Sequence, residues 1–138
     1  MARKKYFVIA GILLLCFAGW GLYLFNKPHT SVQNIKASET IAATDLYKQY
    51  AANENAANQE FLDKVIEVKG KVSDAQKTDS SFSVLLNAGA ATGGVNCNLS
   101  FNDNKKIPLP KQGDFVTIKG ECAGFLMDVT LVDCVLEK

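Results

Sequence analysis

The chain has 138 residues and a formal charge of +1, enough for one modest domain plus an appendage. Five of its fifteen basic residues are Arg3, Lys4, Lys5, Lys27 and Lys36, and all fourteen acids lie at or beyond Glu39. Residues 38–138 therefore carry ten lysines against fourteen acids, a formal −4, which suits a phosphate backbone poorly because that grip takes clustered Lys and Arg.

Residues 1–5, MARKK, form a short basic tip, and residues 6–25 contain no charge. As a helix those twenty residues would span about 30 Å, the thickness of a bilayer's hydrocarbon core. Trp20 and Tyr23 near the far end suit the interfacial aromatic belt. The alternative is a cleaved signal peptide. Against it, the run exceeds the roughly 7–15 residues of a signal core, and Asn26-Lys27-Pro28 follows it rather than a small-x-small site. Lipid modification at Cys16 is disfavoured because Leu15 precedes it and the apolar run continues past it. Basic residues ahead of the helix, with no competing cluster after it, orient the N-terminus to the cytoplasm. The expectation is a single-pass inner-membrane protein whose C-terminal domain is periplasmic.

Residues 26–42 read as a linker, polar and turn-rich over 26–37, with His29 exposed within it. Residues 43–64 read as one helix with Thr44 or Asp45 as its cap. Leu46, Tyr50, Asn53, Ala57 and Phe61 share one helical face. Asn53 is the polar member of that stripe, expected to tie the helix to a strand through a buried hydrogen bond.

From Val65 the period changes to two, the signature of half-buried strands. Ile66, Val68, Gly70 and Val72 mark the inward face of a first strand, Phe82, Val84 and Leu86 of a second, and Val95, Cys97, Leu99 and Phe101 of a third. A small flexible loop, residues 87–94, joins the second and third, and a polar connection with two prolines follows over 102–110. The fourth strand places Val116, Ile118, Gly120 and Cys122 inward, with Thr117, Lys119 and Glu121 outward. Residues 128–136 form the fifth, whose alternation slips between Leu131 and Cys134 and predicts a bulge. The whole is mainly β: a five-stranded OB-fold Greek-key barrel over residues 43–138 with a lead helix, in which Gly70 and Gly120 serve sharply coiled strands.

Residues 46–136 resemble the small bacterial OB-fold proteins of the tRNA-anticodon-binding-like family. The pieces that carry the resemblance are Tyr50-x-x-Asn53-x-x-x-Ala57, Val68-x-Gly70-x-Val72, Val95-x-Cys97, Gly113-Asp114-x-Val116-x-Ile118-x-Gly120-x-Cys122-x-Gly124 and Val129-x-Leu131-x-Asp133-Cys134. The resemblance implies the barrel and, by fold analogy, nucleic-acid binding in an envelope protein.

An OB-fold binds single strands on its second and third strands and on the loops after its first and fourth, using aromatics for stacking and cations for phosphate. The outward residues there are Ser81, Ser83, Leu85, Asn96, Asn98 and Ser100, and the first of those loops offers Lys77 beside Asp79. None of the outward six is aromatic or basic, which disfavours nucleic acid. At the other loop, with its apolar Phe125, Leu126 and Met127, either Phe125 or Leu126 folds back to plug the barrel mouth or the three form a contact patch for a protein or the membrane surface. Cys97, Cys122 and Cys134 lack the spacing of a zinc site and no histidine joins them. In an OB barrel the third and fifth strands are neighbours, so Cys97–Cys134 is the reachable disulfide; three reduced buried thiols remain the alternative. The sequence shows no nucleophile–base pair, paired carboxylates or phosphate loop, so neither catalysis nor a cofactor or metal is expected. The expected role is binding of an envelope protein or small ligand, with single-stranded nucleic acid as the alternative.

Overall fold

The structure, a computed structural model, describes residues 2–26 and 31–137; His29 falls outside the described residues. Helix α1 (Ala2–Phe25) carries the apolar run. It is long and apolar enough to cross a membrane, and none of its apolar stretch is buried against the rest of the chain. A helix of a soluble core buries one stripe; here Phe7, Leu14, Trp20 and Phe25 are all exposed.

A short 3-10 turn (Val32–Asn34) leads into strand β1 (Thr40–Ala42), helices α2 (Ala43–Ala52) and α3 (Glu54–Phe61), and then the barrel. The barrel strands are β2 (Val65–Lys77), β3 (Ser81–Asn87), β4 (Gly94–Ser100), β5 (Phe115–Phe125) and β6 (Val129–Glu137), with a one-turn helix α4 (Phe101–Asn104) after β4. The sheet order is β1-β2-β3-β4-β6-β5, and an additional β2–β5 pairing closes it. β4 and β6 run parallel, whereas β2–β3, β3–β4, β2–β5 and β5–β6 are antiparallel. The architecture is the five-stranded OB barrel.

Inward residues of all five strands form one core. Ile66, Val68, Val72, Val84, Leu86, Val95, Cys97, Ile118, Cys122, Val129 and Leu131 are buried at the positions that a period of two selects. The 13-residue β2 pairs with β5 through Val65–Lys71 and with β3 through Val72–Lys77, with a register shift between Val72 and Asp74. The predicted slip in β6 is a bulge: Lys119 faces Val135 and Glu121 faces Val132, and Asp133 takes a φ of 51°. Aspartate tolerates that left-handed conformation better than most residues. Gly120 lies opposite the bulge. A Cβ there would overlap the Cys134 Sγ and sit 3.2 Å from the Val132 carbonyl oxygen. A Cβ on Gly70 would meet the Ala43 Cβ at 2.9 Å, where α2 begins. Both glycines act by close approach of neighbouring groups.

Several expectations need correction. The segment read as a linker carries structure: Val32 is buried, the Ser38 N–H donates to the Val65 carbonyl at 2.8 Å, and β1 pairs with Glu67–Lys69 along an edge of β2. The single lead helix is two helices. Asn53 is extended at the joint (φ −158°) and exposed; its Oδ1 accepts the Ala56 N–H at 3.1 Å, so it caps α3 and ties nothing to a strand. Neither Thr44 nor Asp45 caps α2, which starts after Ala42 with no side-chain cap. The buried hydrogen-bonding asparagine is Asn104, 2% exposed. Its Nδ2 donates to Ser100 O (2.8 Å) and Cys134 O (2.9 Å), and its Oδ1 accepts the Leu136 N–H (3.0 Å), fastening α4 to the bulged β6. Phe101, expected on the third strand, opens α4 and packs its ring 5.7 Å from that of Phe82.

Crowding at Gly120 predicts that Gly120→Ala lowers unfolding stability by about 1–3 kcal/mol, the usual cost of overpacking. Cys134→Ala removes the overlapping sulfur, so the double variant should recover part of that loss. Urea denaturation of the four proteins of the cycle measures the coupling.

Candidate binding surfaces of the barrel

The usual ligand face of this fold, the outer side of β3 and β4, is uncharged. Ser81, Ser83, Leu85, Asn96, Asn98 and Ser100 are all half-buried, and the Ser83 hydroxyl donates to Asn96 Oδ1 at 2.9 Å. Lys77, the cation at the edge of this face, lies over the Phe82 ring at 5.6 Å from its centroid. The arrangement can exchange hydrogen bonds but supplies neither a stacking platform nor a row of cations. The adjoining glycine-rich loop is held at three points: Asn87 Oδ1 accepts the Gly89 N–H (2.7 Å), Thr92 O accepts the Tyr47 hydroxyl (2.9 Å) and Asp128 Oδ1 accepts the Gly94 N–H (2.7 Å).

The three apolar residues of the β5–β6 turn separate into two roles. Phe125 folds inward, stacked on Tyr50 (centroids 5.7 Å, 24° between planes) and edge-on to Tyr47 (5.7 Å, 75°), where the α2–α3 pair caps the barrel mouth. Leu126 and Met127 stay out, 91% and 77% exposed. Leu126 rims a groove of about 420 Å³ between α3 and this turn, whose lining includes Glu54, Asn58 and Leu62. Asn58 Oδ1 is buried there with no hydrogen-bond partner among the described residues.

Cys97, Cys122 and Cys134 are buried free thiols. The parallel pairing of β4 with β6 sets Cys97 opposite Leu131 and Leu99 opposite Cys134, so the two thiols are neighbours in the core, and the Cys134 thiol donates to the Val132 carbonyl at 3.7 Å. Burial, and after it the neighbouring Cys97 thiol, raises the Cys134 thiol well above its ordinary range. Cys122 is hydrogen-bonded to the Tyr50 hydroxyl at 3.2 Å, and burial followed by this bond raises the Tyr50 hydroxyl as well. Among the described residues, no group of three or more His, Cys, Asp or Glu side chains is placed to hold a metal ion.

Lys119, expected on the outward face, points out of the barrel and is nevertheless only 8% exposed. The 3-10 turn covers it: its Nζ donates to Gln33 O at 3.2 Å and pairs with Glu137 at 2.8 Å. Phe115, four residues earlier on the same strand face, is uncovered and 75% exposed. Extending the outward set Thr117, Lys119, Glu121 back by one step already marks Phe115 as an aromatic on a polar face.

The raised thiol gives a pH dependence with a definite sign. A folded-state pKa above the unfolded one means the folded chain keeps protons that the unfolded chain releases, so stability falls as pH rises past the unfolded value. Unfolding free energy should hold up to about pH 8 and then decline above the ordinary thiol range near 8.5, by at most ~1.4 kcal/mol per pH unit for each group. Cys134→Ala should flatten this decline in chemical denaturation at stepped pH.

The likenesses to solved structures are those of fold. One is a Klebsiella pneumoniae subsp. pneumoniae protein provisionally named a nucleic acid-binding lipoprotein: 18% identical, covering 73% of this chain and 93% of its own, TM-score 0.59. Another is the S. pombe Stn1–Ten1 complex: 12% identical, covering 54% of this chain and 58% of its own, TM-score 0.41. A third is a Leishmania major Friedlin protein provisionally named an aspartyl-tRNA synthetase: 13% identical, covering 88% of this chain and 25% of its own, TM-score 0.48. No curated protein matches the sequence significantly. The family model for tRNA_anti-like proteins matches residues 1–136, and the chain, with its OB barrel behind an apolar N-terminal helix, belongs to that family.

Proposed function

We propose that the chain is a membrane-anchored, non-catalytic binding module. Helix α1 is its single span, with the N-terminus in the cytoplasm and the barrel in the periplasm, where it binds an envelope protein or a small ligand. The observation that carries this reading is the chemistry of the β3–β4 face: serine, asparagine and leucine, half-buried, with no aromatic or basic residue among the outward six. Electrostatic grip on phosphates supplies most of the sequence-independent affinity for nucleic acids, and this face has nothing to supply it with. The exposed Leu126 and Met127 beside the α3 groove are the protein-contact candidate. Arg3, Lys4 and Lys5 ahead of an apolar helix that the barrel leaves uncovered support the anchor and its orientation. The name of the Klebsiella relative supports an envelope location. It also keeps single-stranded nucleic acid as the second reading, although fold likeness alone does not transfer function.

The full chain in detergent should not shift a labelled single-stranded oligonucleotide at physiological salt. A shift that weakens steeply as salt rises would favour the second reading. In spheroplasts, added protease should digest the barrel, and the uncut helix should resist alkaline extraction. Protection of the barrel would overturn the orientation.

A further inference from the structure

We propose that the barrel rests on the bilayer through the outer face of β2 and β5, with Phe115 entering the lipid interface and lysines around it binding anionic headgroups. This rests on α1 being the membrane anchor.

Two constraints select this face. The first is the length of chain between the helix and the barrel. Asn26 ends the described helical segment and Ser31 precedes the 3-10 turn, so five peptide links separate them. Fully extended, they span about 17 Å. The turn is seated on β5, where Gln33 O accepts the Lys119 ammonium at 3.2 Å. Phe115 lies on the same strand face as Lys119, about 13 Å away at ~3.3 Å per residue. The headgroup layer adds roughly 5–8 Å beyond the hydrocarbon core. A domain tethered this closely at β5 presents the outer side of that strand within reach of the membrane surface.

The second constraint is charge. Phe115 stands on a ridge between two open grooves of about 550 and 780 Å³. Lys71 is its cross-strand partner on β2, Lys69 lies two residues before Lys71, and Lys111 lines the second groove. All three lysines are exposed. Lys69 approaches Glu67 at 3.7 Å; Lys71 and Lys111 have no ion-pair partner among the described residues. Two further acids lie close by: Asp114, whose Oδ2 accepts the Lys111 N–H at 2.9 Å, and Glu137, which is ion-paired with Lys119 at 2.8 Å; the three lysines outnumber the one unpaired acid. Ile35 and Lys36, both exposed just after the turn, add a further apolar and basic pair. The other exposed apolar tip, Leu126–Met127, is followed by Asp128 and borders a groove lined by Glu54 and by no lysine or arginine, a balance that an anionic surface would repel. An amphipathic surface of one ring among cations is what interfacial attachment requires, each lysine near an anionic leaflet strengthening it roughly fivefold.

The test uses the full chain with Trp20→Phe, which removes the lone tryptophan, and Phe115→Trp as reporter. It is reconstituted into vesicles of phosphatidylcholine alone, or of two parts phosphatidylcholine to one part phosphatidylglycerol, with brominated acyl chains. In the anionic vesicles Trp emission should move to the blue and be quenched at least about twofold, with both effects lost in high salt or when Lys69, Lys71 and Lys111 are changed to Glu. Water-exposed emission in both vesicle types, with the chain still resisting alkaline extraction, overturns the docking and leaves the anchor standing. Release of the chain by alkali overturns the anchor and the docking with it. Quenching by an oligonucleotide with no response to anionic vesicles overturns the docking in favour of nucleic acid.

Discussion

Closure of the barrel depends on one strand being shared. β2 gives its first seven residues to β5 and its remainder to β3, and an open sheet becomes a barrel only because it bends enough to serve both. The register shift after Val72 makes that bend, and Gly70 lets α2 start against the strand just before it. The part of β2 that β3 does not reach has its other edge covered by β1. A strand edge is thereby hydrogen-bonded rather than left as a template for pairing with another chain.

Closure also sets which residues can meet a ligand. The two ends of the barrel are sealed differently. The α2–α3 pair closes one mouth with Leu46, Tyr50, Ala57 and Phe61, and Phe125 is drawn in between the two tyrosines of α2. At the other end α4 is a single turn, and Asn104 rather than apolar packing fastens it to β6. The Cys134 carbonyl that Asn104 satisfies belongs to the bulged stretch of β6, where the sheet ladder is disrupted. Three features of this region follow from one extra residue in β6: the positive φ at Asp133, the bare Gly120 beneath the sulfur, and the buried asparagine.

Outside the core, charge and cover divide the surface. The β3–β4 face is polar and neutral, the β5–β6 turn is apolar beside acids, and the β2–β5 face joins a phenyl ring to lysines. The membrane docking proposed for the third face would leave the first two free for ligands.

The strands, their inward residues, the slip in β6 and the apolar helix were legible in the sequence, because period and length report local geometry directly. Val68, Cys97 and Ile118 sit where alternation places them. Local pattern also located Asn53 and Phe125 but could not assign their roles. Asn53 lies on an apolar helical stripe only if the helix is unbroken, and a cap at the joint is an equally good use of the same residue. Tertiary structure alone decided that Lys119 is covered while Phe115 is bare, that Phe125 turns in while Leu126 turns out, and that Asn104 is the buried polar anchor. Periodicity tells which side of a strand a residue faces. It carries no information about which distant segment crosses that side, and for an outward residue that segment determines whether it is core, partner or solvent.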